Sequence, residues 1–184
     1  ACGAGADDPA GRQRERMTEA ALYRLLQTIG IPYERVEHPP VFTYEEAEAQ
    51  VPALAGVHTK NLFLRDGKGR RHFLVVVGSQ ARVDLRGLAS ELGVAKLGMA
   101  SPERLQRYLG VTPGAVTLLG VVNAEPGEIE IIIDTPVWHA DQPLHCHPLV
   151  NTATLSVPVA GLQQLLDTLG HTWQVLRVPC REDD

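Results

Sequence analysis

Apolar residues first recur at helical spacing between Ala21 and Ile29, where Ala21, Leu22, Leu25, Leu26 and Ile29 fall on one face. The spacing predicts a helix capped by Thr18 and stopped at Gly30. The period then shortens. Pro32 to Glu37 alternates as a strand does, and Thr43 is placed to cap a short helix from Tyr44 to Gln50. His58 to Leu64 and His72 to Val77 read as the arms of a hairpin turned at Asp66-Gly67-Lys68-Gly69. Asp84 caps a predicted helix through Leu92, and Ser101-Pro102-Glu103 opens another that ends at Leu109-Gly110. A loop bearing glycine and proline follows, Gly110 to Gly114. Strands are expected over Ile129 to Asp134, Cys146 to Leu149, Thr152 to Val157 and Trp173 to Val178, with a helix over Val159 to Leu169. Strands outnumber helices and mix with them irregularly. This predicts one α+β domain, with a strongly curved, mostly antiparallel sheet or barrel surrounded by helices, over a βαβ series.

Two polar residues break the pattern. Side chains alternate along a strand, so Lys60 shares a face with Leu62 and Leu64, where a surface lysine would stand opposite the leucines. Such a lysine either snorkels to water or is aimed at an anion in a cleft. The second break is His145-Cys146-His147-Pro148-Leu149-Val150-Asn151, leading into Thr152 to Val157. Read as one extended run, Asn151 begins the face that carries Ala153, Leu155 and Val157, and His145 and His147 have the same parity. A carboxamide and an imidazole in a partly dry cleft offer donors and acceptors to a polar ligand. The plainer alternative is that Asn151 satisfies loop backbone and the histidines cap a strand end. Zinc is not expected, because neighbouring His145, Cys146 and His147 point apart along a strand and no further paired ligands are evident. Trp138 and Trp173 read as packing. Asp134 ends a strand, and His38 before Pro39-Pro40 reads as a loop residue.

Bulk composition narrows the class. The chain has 184 residues, 44% of them hydrophobic, enough for one domain with a real core. No apolar run is long enough for a membrane span, and no apolar signal core stands at the N-terminus. Ala1 to Arg16 is small, charged and aperiodic, and is expected to be a disordered extension. Met17-Thr18-Glu19 looks like a natural beginning, the domain is expected over 17–180, and 181–184 form a tail. Cys2, Cys146 and Cys180 are odd in number and widely spaced, which implies no disulfide framework and fits a reducing cytoplasm. The net charge of −5 argues against a surface coated for nucleic acid, but its distribution is uneven. Lys60 to Arg107 holds ten Lys/Arg against four acids, a local +6 in a chain whose remainder is −11. A basic middle suits contact with a polyanion, or is simply solvated loops and helix faces.

Three blocks together resemble a known family. Thr59-Lys60-Asn61-Leu62-Phe63-Leu64, Leu109-Gly110-Val111-Thr112-Pro113-Gly114-Ala115-Val116-Thr117 and His147-Pro148-Leu149-Val150-Asn151-Thr152-Ala153-Thr154 occur in the order found in the YbaK/prolyl-tRNA-synthetase-associated editing domain family, most like its free-standing ProX (PrdX, ProXp-ala) branch. The resemblance runs from about Thr18 to Val178. It implies trans-editing: hydrolysis of the ester that joins a wrong amino acid, alanine above all, to the tRNA for proline, without a cofactor. An apolar pocket discriminates against smaller amino acids only modestly, so a second, hydrolytic sieve is needed. By the same resemblance Lys60 is the essential lysine, cast as a clamp on the terminal phosphate, and Gly114 opens a loop whose amides face the ester carbonyl. His145 or His147 shapes the amino-acid pocket or meets the α-amino group, Asn151 binds the adenosine, and Asn61 and Thr117 are further substrate contacts. The family's GxxxP loop ends in proline where this chain has Leu118. Arg65, Lys68, Arg70, Arg71, Arg82 and Arg86 are candidates for tRNA backbone contact. Expected partners are mischarged tRNA for proline and the prolyl-tRNA synthetase, with no membrane. The alternatives are a deacylase for cysteine or serine and a module that binds aminoacyl-tRNA or nucleotide without turnover.

Overall fold

The computed structural model describes residues 15–43, 45, 46, 49 and 53–182. Helix α1 is Glu19–Ile29. The Thr18 side chain accepts from the Ala21 N–H at its start, and Gly30 at φ 86° closes it. Leu22 and Leu26 of its apolar face are fully buried. Strand β1, Glu34–Glu37, follows. Of the predicted 44–50 helix, Tyr44, Ala47, Glu48 and Gln50 lie outside the described residues, as do 1–14. Within reach is the cap: Thr43 Oγ1 accepts from Glu46 N–H at 3.1 Å, and Glu46 accepts in return from Phe42 N–H at 2.7 Å. Arg16, expected in the extension, is held to the body by a bond to Arg107 O, and Met17 N–H by one to Asn123 Oδ1.

The hairpin forms as its sequence demands, with β2 at Thr59–Asp66 and β3 at His72–Gly78 paired antiparallel. Asp66 Oδ1 accepts from the N–H groups of Arg70 and Arg71 and so fastens the turn. Helix α2, Leu85–Leu92, is capped by Asp84 and helix α3, Pro102–Leu109, by Ser101. Between them runs a short strand the periodicity did not predict, β4 at Leu97–Met99, which adds to the edge of β2. Two 3₁₀ turns, Pro113–Ala115 and Leu118–Asn123, occupy the glycine–proline loop. After them come β5 (Glu130–Asp134), a single helical turn α4 (Thr135–Trp138), β6 (Leu144–Cys146), β7 (Ala153–Val157), α5 (Val159–Thr168) and β8 (Trp173–Leu176).

The pairing is mixed and mostly antiparallel. A five-stranded sheet runs β4-β2-β3-β5-β8, and its β3–β5 and β5–β8 pairs are parallel. A three-stranded antiparallel sheet runs β1-β7-β6. The two meet where the chain entering β2 pairs with β6: Val57 N–H donates to Pro143 O and His145 N–H to Val57 O. Both faces of the larger sheet are covered. Leu74, Val76, Ile131 and Ile133 face the main core with α1, α3 and α5, while Phe73, Val75, Val77 and Ile132 face α2. That explains the unbroken apolar run Phe73-Leu74-Val75-Val76-Val77, since a strand buried on both sides has no polar face. Each such side chain contributes about 1.5–3 kcal/mol by leaving water. The two tryptophans pack on one another, ring centroids 6.1 Å apart.

Candidate active site

Residues from separate elements converge on one cleft of about 250 Å³. The start of β2 brings His58, Lys60 and Asn61; the first 3₁₀ turn brings Pro113, Gly114 and Val116; the smaller sheet brings His145, His147 and Thr154; and Val41, Phe42 and Thr43 form one wall. Lys60, Asn61, Gly114, His145 and His147, singled out by sequence, are therefore neighbours in space.

Alternation puts Lys60 and Asn61 on opposite faces of β2. Lys60 shares its side with Leu62 and Leu64, whose neighbours are those of α2, and its ammonium donates to the carbonyl of Ala81. Among the described residues no carboxylate pairs with it. One proton of three is engaged, and the other two can meet an anion. Asn61 points to the other side, toward Thr59 and the smaller sheet.

The histidines are placed by a hairpin and not by the single extended run that parity suggested. β6 pairs with β7, His145 opposite Ser156, across a turn in which Leu149 takes φ 69°. Residues opposed in an antiparallel pair share a face. His145 and His147 thus stand with Thr154 and Ser156, on the side away from Ala153, Leu155 and Val157. His145 Nε2 lies 3.0 Å from Leu54 O and 3.2 Å from Ala55 O, which makes it an N–H donor and locks the ring. Burial, with His58 alongside at 4.4 Å between ring centroids, holds its pKa below the usual imidazole value. His147 Nδ1 donates to Ala153 O at 3.1 Å, and burial lowers its pKa as well. Gly56, at φ 136°, passes so close beneath His145 that a Cβ there would lie 2.9 Å from the imidazole Cδ2.

Gly114 is required by space. A Cβ on it would lie 2.9 Å from Phe42 Cε1 and 3.0 Å from Asn151 Nδ2. Asn151 is thus beside the turn, against Gly114, and outside the cleft lining itself. Leu118, where the family's loop has proline, is 2% exposed and anchors the second 3₁₀ turn in the core. Thr117, expected at the substrate, is fully buried, and its hydroxyl accepts from Leu119 N–H at 3.2 Å to cap that turn. Its role is to hold the loop.

The basic candidates divide. Arg65 sits at the hairpin end of β2, about 17 Å along the strand from Lys60 at ~3.3 Å per residue, and Lys68 and Arg70 lie in the turn beyond it. Arg71 forms a two-pronged pair with Glu130, 2.7 and 2.9 Å, and stacks on Phe73, so it ties the hairpin to β5. Arg82 and Arg86 are exposed, and Arg82 directly follows the residue whose carbonyl holds Lys60. Asp134 is structural: its Oδ1 accepts from Val178 N–H at 2.9 Å. Cys146 is fully buried, its thiol pushed up to about 12, and is no nucleophile. Among the described residues no cluster of His, Cys, Asp or Glu suits a metal ion, and no helix is long and apolar enough to cross a membrane.

Residues 38–165 match the aminoacyl-tRNA editing domain model. The chain belongs to that family. It is 37% identical to the prolyl-tRNA editing protein ProX of Acetoanaerobium sticklandii over 86% of this chain and 96% of the relative. It is 36% identical to prolyl-tRNA synthetase associated domain-containing protein 1 of Danio rerio, over 84% of each. A solved structure described as a candidate trans-editing enzyme for prolyl tRNA synthetase superposes with a TM-score of 0.64 at 21% identity, over 92% of this chain and 100% of that one, and shares the fold. Within this editing domain, sequence reasoning missed Thr154, Phe42 and His58. The one signal for Thr154 was the hydroxyl–apolar alternation of Ala153-Thr154-Leu155-Ser156-Val157.

Proposed function

We propose that this protein is a trans-editing deacylase that hydrolyses the ester of mischarged tRNA for proline, and alanyl-tRNA for proline in particular. Membership of the family makes it an editing hydrolase, and the name of the prolyl-tRNA editing relative ProX supports proline tRNA as the carrier. The observation that carries the reading is that Lys60, half-buried and paired with no carboxylate among the described residues, lines one cleft with the Gly114 turn.

Lys60 takes the phosphate of the 3′-terminal nucleotide and stays charged beside it. Arg82 and Arg86, on the same end, continue the contact along the acceptor strand. Asn151, against Gly114, binds the terminal adenosine, and the exposed ring of Phe42 lies over the same turn. The Gly114 amide faces the ester carbonyl and stabilises the negative charge that develops when water attacks the carbonyl carbon. The bond to the 3′-oxygen then breaks, that oxygen takes one proton of the attacking water, the other passes to solvent, and the amino acid leaves as its carboxylate. The 2′-hydroxyl of the substrate orients the water. Val41 and Val116 give the apolar wall against which an alanine methyl packs. Such a task places the protein in the cytoplasm with the prolyl-tRNA synthetase.

The test is single-turnover hydrolysis of alanyl-, cysteinyl- and seryl-tRNA for proline, side by side, by the wild type and by Lys60→Ala. The alanyl ester is expected to be cleaved fastest, and Lys60→Ala to lose at least about 100-fold, the usual scale for one electrostatic contact to a reacting group, with its melting temperature unchanged. Wild-type turnover by folded Lys60→Ala rejects the clamp. Faster cleavage of the cysteinyl or seryl ester reassigns the amino acid. Tight binding without cleavage makes the chain a binding module.

A further inference from the structure

The segment that follows β8 is bonded into the body of the protein. Val178 is 3% exposed, in the core beneath α2, with Ala81 and Val83 packed against the same cluster. Asp134 Oδ1 accepts from Val178 N–H at 2.9 Å, which ties the segment to the end of β5. From there the chain runs antiparallel to residues 82–84. Asp84 N–H donates to Pro179 O at 2.8 Å, Arg181 N–H donates to Arg82 O at 2.7 Å, and Val83 and Cys180 form a β-bridge between these bonds. Pro179 also lies close on α2, where a Cβ on Gly87 would stand 2.9 Å from its Cβ. Residues 178–181 therefore make a strap. The residue just before the strapped stretch is Ala81, whose carbonyl accepts from the Lys60 ammonium. On its other flank Ala81 closes a turn, its N–H donating to Gly78 O at 3.0 Å, and Ser79 N–H fastens that turn to His58 O at 3.0 Å.

A peptide unit is planar, so Ala81 O is re-aimed only by rotation about the Cα bonds of Ala81 and Arg82. The turn restricts the first, and the bond from Arg181 N–H to Arg82 O restricts the second. A lysine side chain is long and has much rotamer freedom to lose when it is ordered. Held on a fixed carbonyl, the ammonium presents its two remaining protons in a set direction before an anion arrives, and the cost of ordering it on binding is reduced. Strap and ammonium are near neighbours as well: burial first and Asp134 second push the Cys180 thiol up, and the Lys60 charge opposes them. We propose that the strap of residues 178–181 sets the reach of Lys60 through Ala81, with the main-chain N–H of Arg181 as the positioning group. The inference rests on Lys60 being the phosphate clamp and adds what holds that clamp in place.

The test separates main chain from side chain. Arg181→Pro removes the N–H and keeps Cys180 extended, as its bridge requires, while Arg181→Ala keeps the N–H and removes only the guanidinium. A chain ending at Cys180 loses the same bond and serves where the proline variant does not fold. The readout is single-turnover hydrolysis, at saturating protein, of the ester that the wild type cleaves fastest. Arg181→Pro and the shortened chain are expected to react at least about tenfold more slowly, the scale of a misplaced group near reacting atoms, and Arg181→Ala at the wild-type rate. In a Lys60→Ala background Arg181→Pro is expected to cause no further loss, because a strap that acts through Lys60 then has nothing to place. Hydrogen exchange of the wild type is expected to show the Asp84 and Arg181 amides protected. Fast exchange at both amides, or wild-type turnover by both strap variants, overturns the strap and leaves the clamp standing. An undiminished loss in the Lys60→Ala background overturns it too, since the strap then serves the fold and not the lysine. An equal loss in Arg181→Ala moves the effect to the guanidinium and has the same consequence. Wild-type turnover by Lys60→Ala overturns clamp and strap together.

Discussion

Gly114 shows how little room the chemistry leaves around one atom. Its Cα faces Phe42 on one side and the Asn151 amide on the other, and a methyl there would come within 3.0 Å of both. Phe42 is 72% exposed, so it can swing away at small cost to the fold. Gly114→Ala is therefore expected to change the melting temperature little. It should lower single-turnover deacylation at least about tenfold, since a shift of an ångström at reacting atoms carries a penalty of that size or more. A variant with wild-type turnover would show that the Gly114 amide does not face the ester. The motif around Gly114 was legible in the sequence, as was Lys60. What was not legible is why the glycine is there: its crowding partner Phe42 lies 72 residues earlier in the chain. Thr117 shows the converse. It stands in the recognisable block, yet its hydroxyl caps a 3₁₀ turn that periodicity cannot reveal, because a turn of six residues has too few repeats to register.

At the scale of elements, β2 sorts the basic residues. A strand is a straight ruler, so Lys60 at its start and Arg65 near its end face different neighbourhoods. Replacing Arg82 and Arg86 by glutamate is expected to weaken tRNA binding strongly and to flatten its dependence on salt by about one unit of log–log slope for each phosphate that is no longer neutralised. The same change at Lys68 and Arg70, on the far turn, should alter neither. Equal effects from the two pairs would mean that tRNA crosses the hairpin as well. Among the described residues the sequence located every long helix, because each buries one stripe and three of the four carry a cap that local chemistry specifies, Thr18, Asp84 and Ser101; α5 begins after Pro158 with no side-chain cap. It placed β6 two residues late. Leu144, His145 and Cys146 are all buried, so no alternation marks the strand, and its edges are set by pairing with Val57 and β7.

The whole molecule holds several imidazoles neutral. His72 is buried between Phe63 and Tyr108 and accepts a hydrogen bond from the Arg104 guanidinium at 2.7 Å. Burial first, then that positive neighbour, lowers its pKa against a weaker pull from Asp66. Burial lowers His145 and His147 in the same direction. Unfolded, each takes its proton near 6.5, while the folded protein resists it. Below that value the unfolded chain binds more protons, so stability present at pH 7 is lost as pH falls through about 6.5 and toward the folded values. Urea unfolding between pH 7.5 and 5 should show this decline, and His72→Gln should make it shallower. A flat profile would mean that the folded protein accommodates the charged rings.

Local pattern by itself determined the long helices, the β2–β3 hairpin and the mostly antiparallel class, because caps, turns and periodicity act over a few residues, while the family was legible only as a resemblance of three short blocks. Only the tertiary structure decided how the strands divide between two sheets and which face of the β6–β7 hairpin carries the histidines. Those outcomes depend on strand pairings between residues as far apart as Glu37 and Ala153, and on the turn that sets the β6–β7 register. A one-dimensional pattern carries no record of either.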